Sequence, residues 1–237
     1  RVWVGEDIFY RELFTYLSIL SLKTERILLA SGITSPYVRG PHVLASSVSA
    51  IVELSKNRFS LGLGAGGLPE VERLIGERPK KPVEALEKAV LFLKERRSVE
   101  VYLGVRGPRM LELAGRIADG VILSGPKGYV KEAIEIVGGS AKKRGKVKKV
   151  LWNAFLLGED SRLVEKVTSV MLESMPEFAL RHIEDRRNVV DELCIYGSKD
   201  RILQGLEEFE EMGIDEFVIG PPYGKDPLEV IKAMEGR

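Results

Sequence analysis

Short β-rich runs alternate with longer helical ones from one end of the chain to the other, and this rhythm limits the available folds more than any other feature. The strand candidates are Val2–Val4, Ile27–Ser31, Phe59–Leu63, Val99–Leu103, Gly120–Leu123, Val150–Leu156 and Glu216–Ile219. Between them, Phe9–Leu22 places Phe9, Leu13, Leu17 and Leu20 at a spacing near 3.6. Val43–Leu54, Pro82–Lys94, Pro108–Ala118, Val130–Val137, Leu163–Leu172 and Ser198–Met212 continue the helical series. A last helix begins at Asp226-Pro227, with Asp226 as its N-cap and Pro227 in its first turn.

Apolar strands that alternate with helices form a parallel sheet covered by helices. Two closures satisfy the pattern: an open doubly wound sheet, or a (β/α)8 TIM barrel. A barrel needs one strand more than the seven counted, and the abrupt start at Arg1 is where the first strand is expected to be missing. Gly-rich turns after several different strands favour the barrel, whose active site is built from many strand ends. A dinucleotide-binding sheet would carry its phosphate fingerprint in the first turn alone. The expectation is one barrel domain over residues 1–237, with residues 159–198 a helical insertion before the last strand. That stretch is too long for a simple crossover. A solvated helical layer is the plainer reading of it, and a substrate lid the sharper one.

Composition narrows the function classes. Lys and Arg total 36 against 35 Asp and Glu, a formal net charge of +1. So even a balance argues against a nucleic-acid footprint or a polybasic membrane face. No apolar run is long enough to span a bilayer. A lone cysteine, Cys194, excludes an internal disulfide and a thiolate zinc site, and two histidines, His42 and His182, exclude a His-rich metal site. The compartment reads as cytoplasmic. With Arg1 in place of Met, the chain reads as starting inside a longer gene product, and no signal peptide can be read from it. One Gln and three Asn among many Lys, Arg and Glu is a bias common in proteins from hot environments.

Chemistry in a barrel belongs to the residues just past each strand. After Val4 come Gly5-Glu6-Asp7; Asp7 is expected to cap the next helix, which leaves Glu6 as the site candidate. After Ser31, Gly32-Ile33-Thr34-Ser35-Pro36 forms an irregular turn that offers hydroxyls. The Gly62–Gly67 turn, with Gly64, Ala65 and Gly66, lets backbone approach a ligand, although glycine also serves tight packing. Gly104-Val105-Arg106-Gly107 and Ser124-Gly125-Pro126-Lys127 each place Gly before a helix start. Two adjacent strand ends with exposed N–H groups and a cation resemble a phosphate cradle. His42 reads as a surface or cap residue, Cys194 as inert, and Trp3 and Trp152 as packing residues. The basic run over residues 142–149 reads as a solvated loop.

Four runs then carry a resemblance: Val2 to Asp7, Arg26 to Pro41, Leu54 to Gly66 and Val101 to Ser124, with a fainter one ending at Pro222. Through them the chain resembles the bacterial-luciferase-like flavin and deazaflavin barrels. Within these it looks most like the coenzyme F420-dependent reductases related to archaeal methylenetetrahydromethanopterin reductase. It departs from that pattern in lacking the first strand and an insertion near Arg97-Ser98, and in having Glu6-Asp7 where relatives often have Asp-His. The resemblance implies a deazaflavin, with FMN as the alternative, lying across the strand ends. Its phosphate would lie near Gly104–Gly107 and Ser124–Gly125, and its ring would back onto Gly32, Ile33 and Thr34. It also implies a cis peptide between Gly32 and Ile33, a homodimer, and Glu6 as the proton-handling or orienting residue. Hydride transfer to a small organic substrate, with a methylene-tetrahydropterin as the candidate, is the implied activity. An FMN monooxygenase and a non-catalytic flavin-binding barrel are the rivals.

Overall fold

The computed structural model describes residues 1–142, 145–183, 189–223 and 226–235. Its contacts divide the chain into two compact units. The first comprises Arg1–Val105, Arg109–Val121 and Val137–Val147; the second takes Arg106–Pro108, Ile122–Ile136 and Lys148–Arg237.

The first unit runs β1 (Val2–Val4), α1 (Leu13–Lys23), β2 (Leu29–Ser31), α2 (Pro41–Leu54), β3 (Phe59–Leu63), α3 (Leu68–Ile75), α4 (Pro82–Lys94) and β4 (Glu100–Gly104), then α5 (Pro108–Ile117) and the start of β5 (Gly120–Leu123). Strands β1 to β4 pair in sequence order, all parallel. All five residues of β3 are buried: Phe59, Leu61 and Leu63 alternate with the small Ser60 and Gly62, and both faces of the strand are covered. Leu17 of α1, Leu44 and Val48 of α2, and Leu86 and Val90 of α4 are fully buried, as are Leu29, Leu61 and Val101 of the strands. Asp119 ties a helix to its strand: it takes Lys94 Nζ at 2.8 Å and the Val101 N–H at 2.9 Å.

Helix α1 begins later than its periodicity predicts. Glu12, not Asp7, is its N-cap, accepting from the Thr15 N–H at 2.6 Å. Asp7 instead closes a turn, its carbonyl accepting from the N–H groups of Tyr10 and Arg11. Phe9 therefore stays outside the helix, half exposed under the guanidinium of Arg73. Helix α3 was not among the expected helices; Pro69 sits in its first turn.

The chain passes into the second unit within β5, returns to the first within α6 (Lys127–Ala141) and joins the second again at Lys148. There follow β6 (Lys148–Leu151), β7 (Ala154–Leu157), α7 (Ser161–Ser174), α8 (Glu177–Leu180), α9 (Val189–Leu193), β8 (Cys194–Gly197), α10 (Lys199–Glu211), β9 (Glu216–Phe217), β10 (Gly220–Tyr223) and α11 (Pro227–Met234). Here β6 lies between β5 and β9, and β7 between β10 and β8. Ala154 and Leu156 of β7 join Val164 and Cys194 in one apolar cluster, while Phe155 joins Ile202, Leu206 and Val230 in another. The alternation of β7 thus buries both of its faces.

Two expectations are corrected here. The predicted strand Val150–Leu156 is interrupted at Trp152-Asn153, and the insertion is not wholly helical. It is helical in α7 to α9 and then adds β8, parallel to β7 from Ala154↔Cys194 to Leu157↔Gly197. Residues 184–188 of that insertion, and Lys143-Arg144 of the predicted basic loop, lie outside the described residues. Among the described residues no helix is long and apolar enough to cross a membrane.

Candidate active site

In the first unit the candidate residues gather at the ends of β1, β2, β3 and β4. The Gly32–Ile33 peptide is cis, as expected. Beyond it the backbone rejoins the sheet: the Thr34 N–H donates to the Gly62 carbonyl at 3.0 Å, and the Gly64 N–H donates to the Thr34 carbonyl at 2.9 Å. The Ile33 side chain fills the space that the neighbouring glycines leave. A Cβ on Gly64 would lie 2.1 Å from Ile33 Cδ1, and one on Gly104 would lie 2.9 Å from Ile33 Cγ2. These two glycines therefore serve the seating of Ile33. Ala65 offers its carbonyl to the buried Ser35 hydroxyl at 2.9 Å. Gly66 turns the chain with φ +80°.

Glu6 stands beside this bulge with its side chain only 5% exposed. One carboxylate oxygen accepts from Thr34 Oγ1 at 2.6 Å, and the other pairs with the guanidinium of Arg39. Arg39 also pairs with Glu12 and lies over the Phe14 ring at 5.0 Å. Burial pushes the Glu12 carboxyl up, but hydrogen bonds from Thr15 and Arg39 outweigh it and leave the group below its ordinary value. The α1 cap, Arg39, Glu6 and Thr34 thus form one continuous network. Sequence reasoning found Glu6 and Thr34 and missed Arg39. A single cation in the turn Tyr37-Val38-Arg39-Gly40 carries no periodicity, and its partners lie 27 and 33 positions away.

In the second unit Arg106, Gly107, Ser124 and Gly125 fall together, while Gly104 and Val105 belong to the first. Gly107 has nothing within 4 Å of where its Cβ would be, so its backbone lies open at the start of α5. Burial pulls the Arg106 guanidinium below its ordinary value, and the charge interaction with Tyr129 offsets part of this. Burial likewise pushes the Tyr129 phenol up. Gly125 is not a free donor. Its N–H donates to Asn153 Oδ1 at 2.9 Å, and its carbonyl accepts from Asn153 Nδ2 at 2.9 Å. Asn153 was not singled out from the sequence, although an Asn inside an apolar strand run is itself disfavoured. Lys127, which pairs with Glu208, and Asn153 also line a cavity of about 210 Å³ with Cys194, Tyr196 and Arg201. Burial pushes the Cys194 thiol up to about 12, which agrees with an inert cysteine. His42 is exposed on α2, edge-on to Phe92. His182 binds Glu132 beside Arg181. Among the described residues no group of His, Cys, Asp and Glu could hold a metal.

The donor set is suited to an anionic coenzyme. Within the second unit it comprises Arg106, Lys127, Ser124 and the first-turn N–H groups of α6, which have no acceptor inside their own helix.

The chain is similar to several known proteins. A family model, luciferase-like monooxygenase, matches residues 1–96. The 5,10-methylenetetrahydromethanopterin reductase of Archaeoglobus fulgidus is 27% identical over 293 residues, covering 97% of this chain and 87% of its own length. That alignment is longer than the chain, so the relative carries segments that this chain lacks. The coenzyme F420-dependent tetrahydromethanopterin reductase from Methanopyrus kandleri superposes with a TM-score of 0.80 at 19% identity, covering 98% of this chain and 88% of that one. An F420-dependent secondary alcohol dehydrogenase, solved with an F420-acetone adduct, gives a TM-score of 0.78 at 17% identity and covers 92% and 83%. In fold the chain matches these TIM-barrel structures, with the parallel strands and alternating helices that the sequence led us to expect and with the first strand of the barrel missing.

Proposed function

We propose that this chain, which belongs to the bacterial-luciferase-like superfamily, is a coenzyme F420-dependent oxidoreductase that moves a hydride between the deazaflavin and a small organic substrate. The observation that carries the reading is end-to-end similarity to a methylenetetrahydromethanopterin reductase, over 97% of this chain. It makes a methylene-tetrahydropterin the substrate of choice. Arg106, Gly107, Ser124 and Lys127 would hold the phosphate. The Gly32–Thr34 bulge, with the Gly64–Gly66 turn beside it, would support the ring. When bound, the deazaflavin supplies the hydride.

The protein's own task is then to position and to handle one proton. Hydride addition to a methylene bridging two nitrogens gives a methyl group and leaves one nitrogen to be protonated. Glu6 is the carboxyl group held at the strand ends for that exchange, oriented by Thr34 and Arg39. No thiol or imidazole is needed, which suits a Cys194 whose thiol burial pushes up to about 12. We further read the chain as one barrel domain of a cytoplasmic, dimeric enzyme.

The test is anaerobic mixing of the protein with reduced F420 and a methylene-tetrahydropterin, followed at the deazaflavin absorbance band. Oxidation that depends on both the protein and the acceptor supports the proposal. The match of residues 1–96 to a monooxygenase model favours an FMN enzyme as the second reading. Tight FMN binding with rapid reoxidation in air, and no F420 binding, would establish that reading instead.

A further inference from the structure

We infer that Asn153 is a positioning residue for the phosphate-binding turn, an inference that rests on the deazaflavin reading above. Strand β5 ends at Leu123, and its ladder with β6 is extended one step by the Trp152 N–H, which donates to the Leu123 carbonyl at 2.8 Å. Past that point the backbones part, and the Asn153 side chain takes over the pairing. Its amide meets both polar groups of one residue, accepting from Gly125 N and donating to Gly125 O, each at 2.9 Å. Asn153 is only 4% exposed. A primary amide is the smallest side chain that offers an acceptor and a donor side by side in this way. The interruption between β6 and β7 is thus where a side chain replaces a rung of the ladder.

The clamp has a consequence for the turn. Gly125 is pinned from one side by Asn153. The Tyr129 ring closes in on it as well: a Cβ on Gly125 would meet Tyr129 Cδ1 at 2.5 Å. With Gly125 fixed and its own N–H consumed, the chain enters α6 along one path, and Ser124 and the N–H groups of Lys127 and Gly128 are left to face an anion. Asn153 contributes no contact to the ligand. It removes the freedom of the donors that do, which is where a preorganised site gains its affinity.

The experiment compares wild type with Asn153→Ala and Asn153→Leu, the second keeping most of the side-chain volume. Two deazaflavins are titrated by fluorescence: coenzyme F420, and the deazariboflavin that lacks the phosphate and everything beyond it. Loss of the clamp should weaken F420 binding about tenfold or more and leave the phosphate-free compound within about twofold. A merely structural role would weaken both alike, and that result would overturn the inference, as would unchanged F420 affinity. Amide hydrogen exchange without ligand gives a separate arm: Gly125 and the first turn of α6 should exchange faster in both variants. Unchanged exchange there rules the clamp out whatever the ligand. A wild type that binds neither deazaflavin, with exchange still faster in the variants, would sink the deazaflavin reading and, with it, the phosphate role inferred for Asn153.

Discussion

At Gly107 the open space beside the backbone decides what a substitution does. Its missing Cβ faces nothing within 4 Å, so Gly107→Val is sterically allowed in the free protein. The new side chain would stand where a phosphate has to approach the first turn of α5. We expect F420 affinity to fall by about 2–3 kcal/mol, the worth of one or two charge-assisted hydrogen bonds. Thermal unfolding should not change; intact affinity in a folded variant would place the phosphate elsewhere. Glu6 poses the opposite problem, since its carboxylate is committed to Thr34 and Arg39. Glu6→Gln keeps the shape and removes the charge and the proton capacity. Turnover with the pterin substrate should drop about 100-fold or more, in the range ascribed to general acid–base groups. F420 binding should hold. A variant that turns over at the wild-type rate would remove Glu6 from the chemistry.

Helix α1 shows how single residues secure whole elements. Its N-terminus depends on Glu12, whose carboxyl is held below the ordinary value of 4.5. A group shifted down stabilises the fold fully above its unfolded value and loses that contribution as pH falls through its folded value. Glu12→Gln should therefore lower stability at neutral pH and make the acid limb of the stability curve, below pH 4.5, less steep. A parallel downward shift of the whole curve would mean that the charge of Glu12 is idle. The C-terminus depends on Arg58, which donates to the carbonyls of Ser21, Thr24 and Ile27 and to Thr24 Oγ1 at 2.6–3.1 Å. Arg58→Met should cost about 2 kcal/mol in denaturant unfolding, because several helix-end carbonyls lose a charged donor together. A loss under about 0.5 kcal/mol would show that water replaces the guanidinium.

For the whole molecule, the legible parts of the sequence were those whose signals are local. Strands β3 and β5 and helix α4 have the limits that the residues predict, because short β-rich runs and a proline start leave little choice. Strand β8 was not legible: residues 159–198 read as a helical insertion, and Cys194 as an inert residue. Its pairing with β7 is a contact 40 positions distant. The site divides in the same way. Glu6, the Gly32–Thr34 bulge and the two Gly-before-helix turns could be read because they follow strands. Arg39 and Asn153 could not, since each matters only through a partner that folding delivers: Glu6 for one, Gly125 for the other. The central claim, that a deazaflavin is the carrier, is tested most directly by equilibrium titration of the purified protein with F420 and with FMN under one set of conditions. The account predicts saturable F420 binding at micromolar concentration or below, with FMN at least tenfold weaker. Micromolar FMN binding with no detectable F420 binding would contradict it.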